Sequence, residues 1–102
     1  MIRFEWDPMK ARTNQFKHGI TFEEAVNVSD DPYALFEQDR IDEETGELRW
    51  QAIRRVEGIA VMLVAHTVRE EGQDELIRLI SARRAARKER NRYEQTRAQD
   101  IG

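Results

Sequence analysis

The apolar positions change period several times along the chain, and each change marks an element. Ile2, Phe4 and Trp6 alternate with Arg3 and Glu5, the two-residue period of a half-buried strand. Asp7-Pro8 ends that alternation. An aspartate there accepts from the free N–H groups of a first helical turn, and proline at the first helical position sacrifices no needed donor. The helix that follows is expected to stop near His18, because Gly19 suits the left-handed position that ends helices. Thr21-Phe22-Glu23-Glu24 reads as a capping box opening a short second helix, with Ile20 and Ala25 placed for the apolar staple. That helix is expected to end before Asp30-Asp31-Pro32, since the residue before proline resists helical dihedrals.

From Tyr33 the pattern is extended. Ala34 to Ile41 reads as a strand and Asp42 to Gly46 as a polar turn. Glu47 to Val56 is a second strand, with Leu48, Trp50 and Ala52 on one face and Arg49, Gln51 and Ile53 on the other. A tight turn is expected at Glu57-Gly58. Ile59 to Val68 is nearly all apolar, as a central strand covered on both faces would be. Arg69 to Gln73 reads as a charged loop and Glu75 to Ser81 as a further strand. Ser81 is expected to cap a last helix with a thin apolar stripe of Ala82, Ala85, Ala86 and Tyr93, fraying from Gln95 to Gly102. The order is β-α-α-β-β-β-β-α. This is an α+β fold: an antiparallel sheet with two N-terminal helices and a basic C-terminal helix, in one domain over residues 1–102.

Composition narrows the function. Apolar residues make up 39% and charged residues 36% of 102, enough for one modest core. The absence of cysteine excludes disulfides and cysteine-based zinc sites and fits a reducing cytoplasm. His18 and His66, the two histidines, lack ligand spacing, so no metal or cofactor is expected. No apolar run is long enough to cross a bilayer and the N-terminus lacks a signal-peptide pattern. The charge is segregated. Leu76 to Arg97 holds eight basic and two acidic residues, a local +6. The remainder, nine basic and eighteen acidic, carries −9, and the two together give the total of −3. Such polarisation attracts polyanions, chiefly nucleic-acid phosphates; a solvated helix face is the plainer explanation.

Several segments, in matching order across nearly the whole chain, resemble the BrnT family of type II toxins. They are FEWDPMKARTNQFKHGITFEEA at 4–25, DDP at 30–32, GELRW at 46–50 and IRLISARRAARKERNRYE at 77–94. The most specific part is N-x-x-K-H-G followed by F-x-x-A, with R-x-I-S-A-R near the end: Asn14, Lys17, His18, Gly19, Phe22, Ala25, Arg78, Ile80, Ser81, Ala82 and Arg83. The resemblance implies a RelE-like fold and ribonuclease activity that inhibits translation. It also implies a ribbon-helix-helix antitoxin of the BrnA kind, a heterotetrameric complex, and operator DNA bound only through the antitoxin.

Metal-free RNA cleavage needs a base for the 2′-hydroxyl, cations for the phosphorane and an acid for the departing 5′-oxygen. Arg78, and Arg83 at the expected helix start, are candidate phosphate binders, since a guanidinium fork matches phosphate oxygens in pairs. The structural alternative pairs either arginine with a carboxylate such as Glu47 or Asp7. Glu47 and Arg49, two apart, share a strand face and read as a base and phosphate clamp or as a surface ion pair. Lys17 and His18 read as catalytic or as complements to a helix C-terminus, and His66 as a proton shuttle or a core histidine. Arg84, Arg87, Lys88 and Tyr93 are candidate RNA-binding residues, Tyr93 and Trp50 by stacking or else by packing. The competing reading is a non-catalytic module that binds nucleic acid or protein through the basic helix.

Overall fold

The computed structural model describes residues 1–26, 31–56 and 60–101, and the turn expected at Glu57-Gly58 and the segment holding Asp30 lie outside them. The elements are β1 (Ile2–Glu5), α1 (Pro8–His18), α2 (Phe22–Val26), β2 (Leu35–Ile41), β3 (Leu48–Val56), β4 (Ala60–Glu71), β5 (Asp74–Arg84) and α3 (Arg87–Ile101). Type and order are those expected from the pattern. Both early helices carry the caps their sequences encode. Asp7 accepts from the Met9 N–H at 2.9 Å, Gly19 closes α1 at φ 68°, and Thr21 accepts from the Glu24 N–H at 3.1 Å.

The strands form one sheet in the order β1-β5-β4-β3-β2. The meander from β2 to β5 is antiparallel, but β1 joins β5 in parallel, Ile2 opposite Glu75 and Phe4 opposite Ile77, so the sheet is mixed. Two further boundaries differ from expectation. Arg69–Glu71 are not part of a loop but lengthen β4, β5 begins one residue early at Asp74, and the turn is reduced to Gly72-Gln73. Gly72 adopts φ 65°, the left-handed geometry a two-residue hairpin turn requires. A charged stretch reads as a loop by composition, yet in an exposed hairpin nothing penalises charged strand residues.

Ser81 does not cap the last helix. Pairing with β4 carries β5 through Ser81, Ala82 and Arg83 to Arg84, with a register shift between Ala65 and His66, a bulge that absorbs an extra residue near Ile80. The N-terminus of α3 is instead closed by Glu89, whose carboxylate accepts from the Ala86 N–H at 2.7 Å. The expected alanine stripe therefore dissolves, since Ala82 is a fully buried strand residue and Ala85 and Ala86 precede the helix. Helical geometry continues to Ile101, past Gln95 where the pattern has it fray. Tyr93, 1% exposed, anchors α3 against Ile53 and Leu63. Burying such a side chain is worth about 1.5–3 kcal/mol.

The sheet divides the core. On one face Ala52, Val56, Met62, Val64, Leu79 and Ala82 pack with Phe22 and Ala25 of α2, and Trp6 meets Phe22 edge to face at 5.8 Å. On the other, Ile53 and Leu63 pack under Tyr93. β4 is buried from Met62 to Thr67, as its composition demands. β1, by contrast, is not half-buried: Ile2 and Phe4 are exposed.

Candidate catalytic site

Strand alternation sorts the candidate residues onto two faces. In register across β3, β4, β5 and β1 run Arg49, Thr67, Arg78 and Glu5; the next row of that face is Gln51, Ala65 and Ser81, and the next Ile53, Leu63 and Arg83. Small side chains thus form a floor between arginines. Two strand spacings, about 10 Å, separate the backbones of Arg49 and Arg78. The opposite face carries Trp50, His66, Ile77, Leu79 and Arg84.

α1 is fixed beside this floor by Asn14. β1 pairs only with the first part of β5, up to Arg78, which leaves the later edge of β5 without a strand neighbour. Asn14 supplies both missing bonds there: its Nδ2 donates to the Ala82 carbonyl at 2.9 Å and its Oδ1 accepts from the Ala82 N–H at 3.0 Å. Nδ2 also donates to the Ile20 carbonyl at 3.0 Å. A buried amide with this many partners satisfies itself and two backbone segments together. Docked in this way, α1 turns Lys17 and His18 toward Arg49 and Ser81, and the four line one cleft of about 330 Å3 together with Thr13 and Lys10.

Arg49 does not pair with Glu47. Its Nε lies 3.4 Å from Asp42 Oδ1, and both side chains are largely shielded. Asp42 is itself held rigidly, its Oδ2 accepting from the Thr45 hydroxyl at 2.9 Å and the Thr45 N–H at 3.1 Å. The Thr45 hydroxyl bond is the main influence holding the Asp42 carboxyl below the usual carboxylate range, with the Thr45 N–H and the charges of Arg49 and Lys10 adding to it against burial. Arg49 Nε is buried and makes no hydrogen bond. It is thus steered by charge without being saturated. Glu47 is half-buried just ahead of β3, and its backbone carbonyl closes this turn by accepting from the Asp42 N–H at 2.7 Å.

The remaining candidates scatter. Arg78 Nη1 lies 3.8 Å from Glu5 Oε1, both side chains more than a third exposed, a pair worth little in water, so its fork stays open to an anion. Arg83 is not at a helix N-terminus. It sits inside β5, its guanidinium engaged by both Glu89 oxygens at 2.8 Å, and the carboxylate pairing considered for it is realised with Glu89, not with Glu47 or Asp7. That bond raises the Arg83 pKa and lowers that of Glu89. Arg84 points to the opposite face, exposed, and Arg87 and Lys88 are exposed on the first turn of α3.

Tyr93 cannot stack on a base: its ring is buried and its hydroxyl donates to Asp31 Oδ2 at 2.7 Å. His66 and Trp50 are cross-strand partners on the face away from the cleft. Burial lowers the His66 pKa, its Nδ1 lies 3.2 Å from the Val64 carbonyl, and the residue is 6% exposed, the setting of a core histidine outside the cleft. Asp42 and the floor residues Thr67 and Ser81 escaped the sequence reading as site components. The Asp-x-x-Thr-Gly pattern of residues 42–46, typical of a side-chain-capped turn, is the signal that identifies Asp42 as a fixed carboxylate.

A family model described as "Ribonuclease toxin, BrnT, of type II toxin-antitoxin system" matches residues 6–89. A crystal structure of the Brucella abortus ribonuclease toxin BrnT superposes with a TM-score of 0.53 at 22% identity, covering 85% of this chain and 100% of that one. The fold is therefore shared. No curated protein sequence matches the chain. With the family model spanning most of its length, including both α1 and the β5–α3 junction, the chain belongs to the BrnT family of ribonuclease toxins of type II toxin–antitoxin systems.

Proposed function

We propose that the chain is an endoribonuclease that works without a metal ion, seating a phosphodiester in the cleft where Lys17, His18 and Arg49 meet. The observation that carries this reading is the convergence of those three side chains from two elements on one concave site beside a floor of small residues. Arg49 and Lys17 supply positive charge where the phosphorane gathers negative charge. The 2′-oxygen of the RNA attacks phosphorus, its proton passes to a base, and the bond to the 5′-oxygen breaks as that oxygen takes up a proton. The products are a 2′,3′-cyclic phosphate and a 5′-hydroxyl. His18, exposed at the end of α1, is the proton-transfer group within the cleft. Arg78 holds a neighbouring phosphate, and exposed Arg87 and Lys88 guide the strand electrostatically. In this reading the toxin acts in the cytoplasm to stop translation. It is neutralised by a ribbon-helix-helix antitoxin of the BrnA kind, in a heterotetramer that represses its own operon.

The test is incubation of the purified chain with end-labelled RNA in excess EDTA. Fragments ending in 2′,3′-cyclic phosphate are expected; intact RNA over the range of protein concentrations that saturates binding would refute the mechanism. Binding without cleavage would favour the competing reading, a non-catalytic module using the exposed cations around α3.

A further inference from the structure

The face of the sheet turned away from the cationic cleft carries large apolar side chains that nothing in the described chain covers. Phe36 is 61% exposed, Ile2 58%, Phe4 42% and Val68 38%. By register all four project from the same face, from β2, β1 and β4. With Trp50 and Ile77 they line a groove of about 480 Å3, walled at one end by Ala25 and Val26 of α2. From β1 to β2 the face is four strand spacings, about 19 Å, across, room for one helix of about 10 Å diameter. A cluster of this kind on a small protein marks a contact surface.

The groove also has a charge requirement. Arg54 lines it, its Nε is buried without a hydrogen-bond partner, and it forms no ion pair among the described residues. The nearby carboxylate, Asp31, is already committed: Oδ1 accepts from the Tyr33 N–H at 2.9 Å, and Oδ2 from the Arg55 N–H at 2.8 Å and the Tyr93 hydroxyl at 2.7 Å. An occupant that complements the groove brings apolar side chains and its own acid.

We propose that this groove receives an amphipathic helix of the antitoxin, its apolar stripe lying on Phe4, Phe36 and Trp50 and one of its carboxylates meeting Arg54. The assignment rests on the toxin–antitoxin reading above. It places the antitoxin contact and the RNA cleft on opposite faces of one sheet, so the two are separable by mutation.

The experiment uses the full chain and a ribbon-helix-helix antitoxin of the BrnA kind, with Phe36→Glu, Phe4→Glu, Arg54→Ala and Arg49→Ala variants. Because Phe36 and Phe4 are exposed, those substitutions leave the fold intact, which circular dichroism verifies. Each groove variant should bind the antitoxin at least about tenfold more weakly while cleaving RNA at the wild-type rate. Arg49→Ala should show the reverse. Antitoxin binding at wild-type affinity by all three groove variants would overturn the assignment alone. So would a dimer of the free chain that Phe36→Glu dissociates, because a second copy would then be the occupant. No antitoxin binding by the wild-type chain, or no cleavage of RNA, would refute the underlying reading itself.

Discussion

Asp42 Oδ1 faces Arg49 Nε at 3.4 Å from a turn whose threonine holds the other carboxylate oxygen. The pair is partly buried at the lip of the cleft, and a charge held there fixes where the guanidinium lies. Asp42→Asn keeps the shape and the Thr45 bonds but removes the attraction. RNA cleavage should fall about tenfold with little change in thermal stability, whereas Asp42→Ala should lower both. Unchanged cleavage by Asp42→Asn would show that Arg49 needs no positioning.

Asn14 makes three hydrogen bonds, two that tie α1 to the edge of β5 at Ala82 and one to the Ile20 carbonyl. Asn14→Ala strands the buried Ala82 N–H and two carbonyls, and should cost about 2–4 kcal/mol in denaturant unfolding. Asn14→Asp cannot donate to the two carbonyls and should be at least as damaging. A loss under about 1 kcal/mol would mean that water replaces the amide readily.

Asp31 gives the fold an acid-sensitive point. Burial alone would raise its pKa, but bonds from the Arg55 N–H, the Tyr93 hydroxyl and the Tyr33 N–H outweigh it and hold the group below its usual 3.8. A carboxyl depressed in the folded state contributes stability that is fully present above its unfolded pKa and is lost as pH falls through the folded value. Urea midpoints should therefore be flat near neutrality and drop below about pH 4. Tyr93→Phe should lower the plateau by about 1–2 kcal/mol and flatten that drop. An unaltered acid limb in Tyr93→Phe would contradict the role given to this bond.

Glu89 bridges Arg83 in β5 to the first turn of α3 through the Ala86 N–H. Glu89→Gln keeps a cap acceptor but weakens the fork, and should reduce stability by about 1 kcal/mol. It also releases Arg83 onto the cationic face, so affinity for RNA should rise slightly. Filter binding at two salt concentrations measures the change.

The fold was legible where residues act through local chemistry. The Asp7-Pro8 start, the Gly19 stop and the Thr21 cap all follow from short-range hydrogen bonding, and the buried β4 follows from its run of apolar residues. What was not legible depended on partners distant in sequence. Nothing local in Ile2–Glu5 states that it pairs in parallel with β5. Ser81 looks like a cap because serines commonly are, and only the β4 ladder draws it into a strand. The same limit applies to the site. Lys17, His18 and Arg49 were legible as candidates and do share a cleft, but Arg83 finds its carboxylate at Glu89 and Tyr93 turns inward to Asp31. Net charge does not distinguish the C-terminal cations, whereas the fold pairs Arg83 with Glu89 and, at the surface, Arg92 with Glu37 and leaves Arg84, Arg87 and Lys88 facing solvent.

In the proposed mechanism the phosphodiester reacts between Lys17, His18 and Arg49. Single-turnover cleavage of one RNA by Lys17→Ala, His18→Ala, Arg49→Ala and Arg84→Ala, each with verified folding, measures it most directly. Losses of about 10²–10³ are expected for Arg49→Ala, substantial losses for the two α1 variants, and a rate within about threefold of wild type for Arg84→Ala, whose charge lies on the other face. Wild-type rates for the three cleft variants, with the loss falling on Arg84→Ala instead, would contradict it.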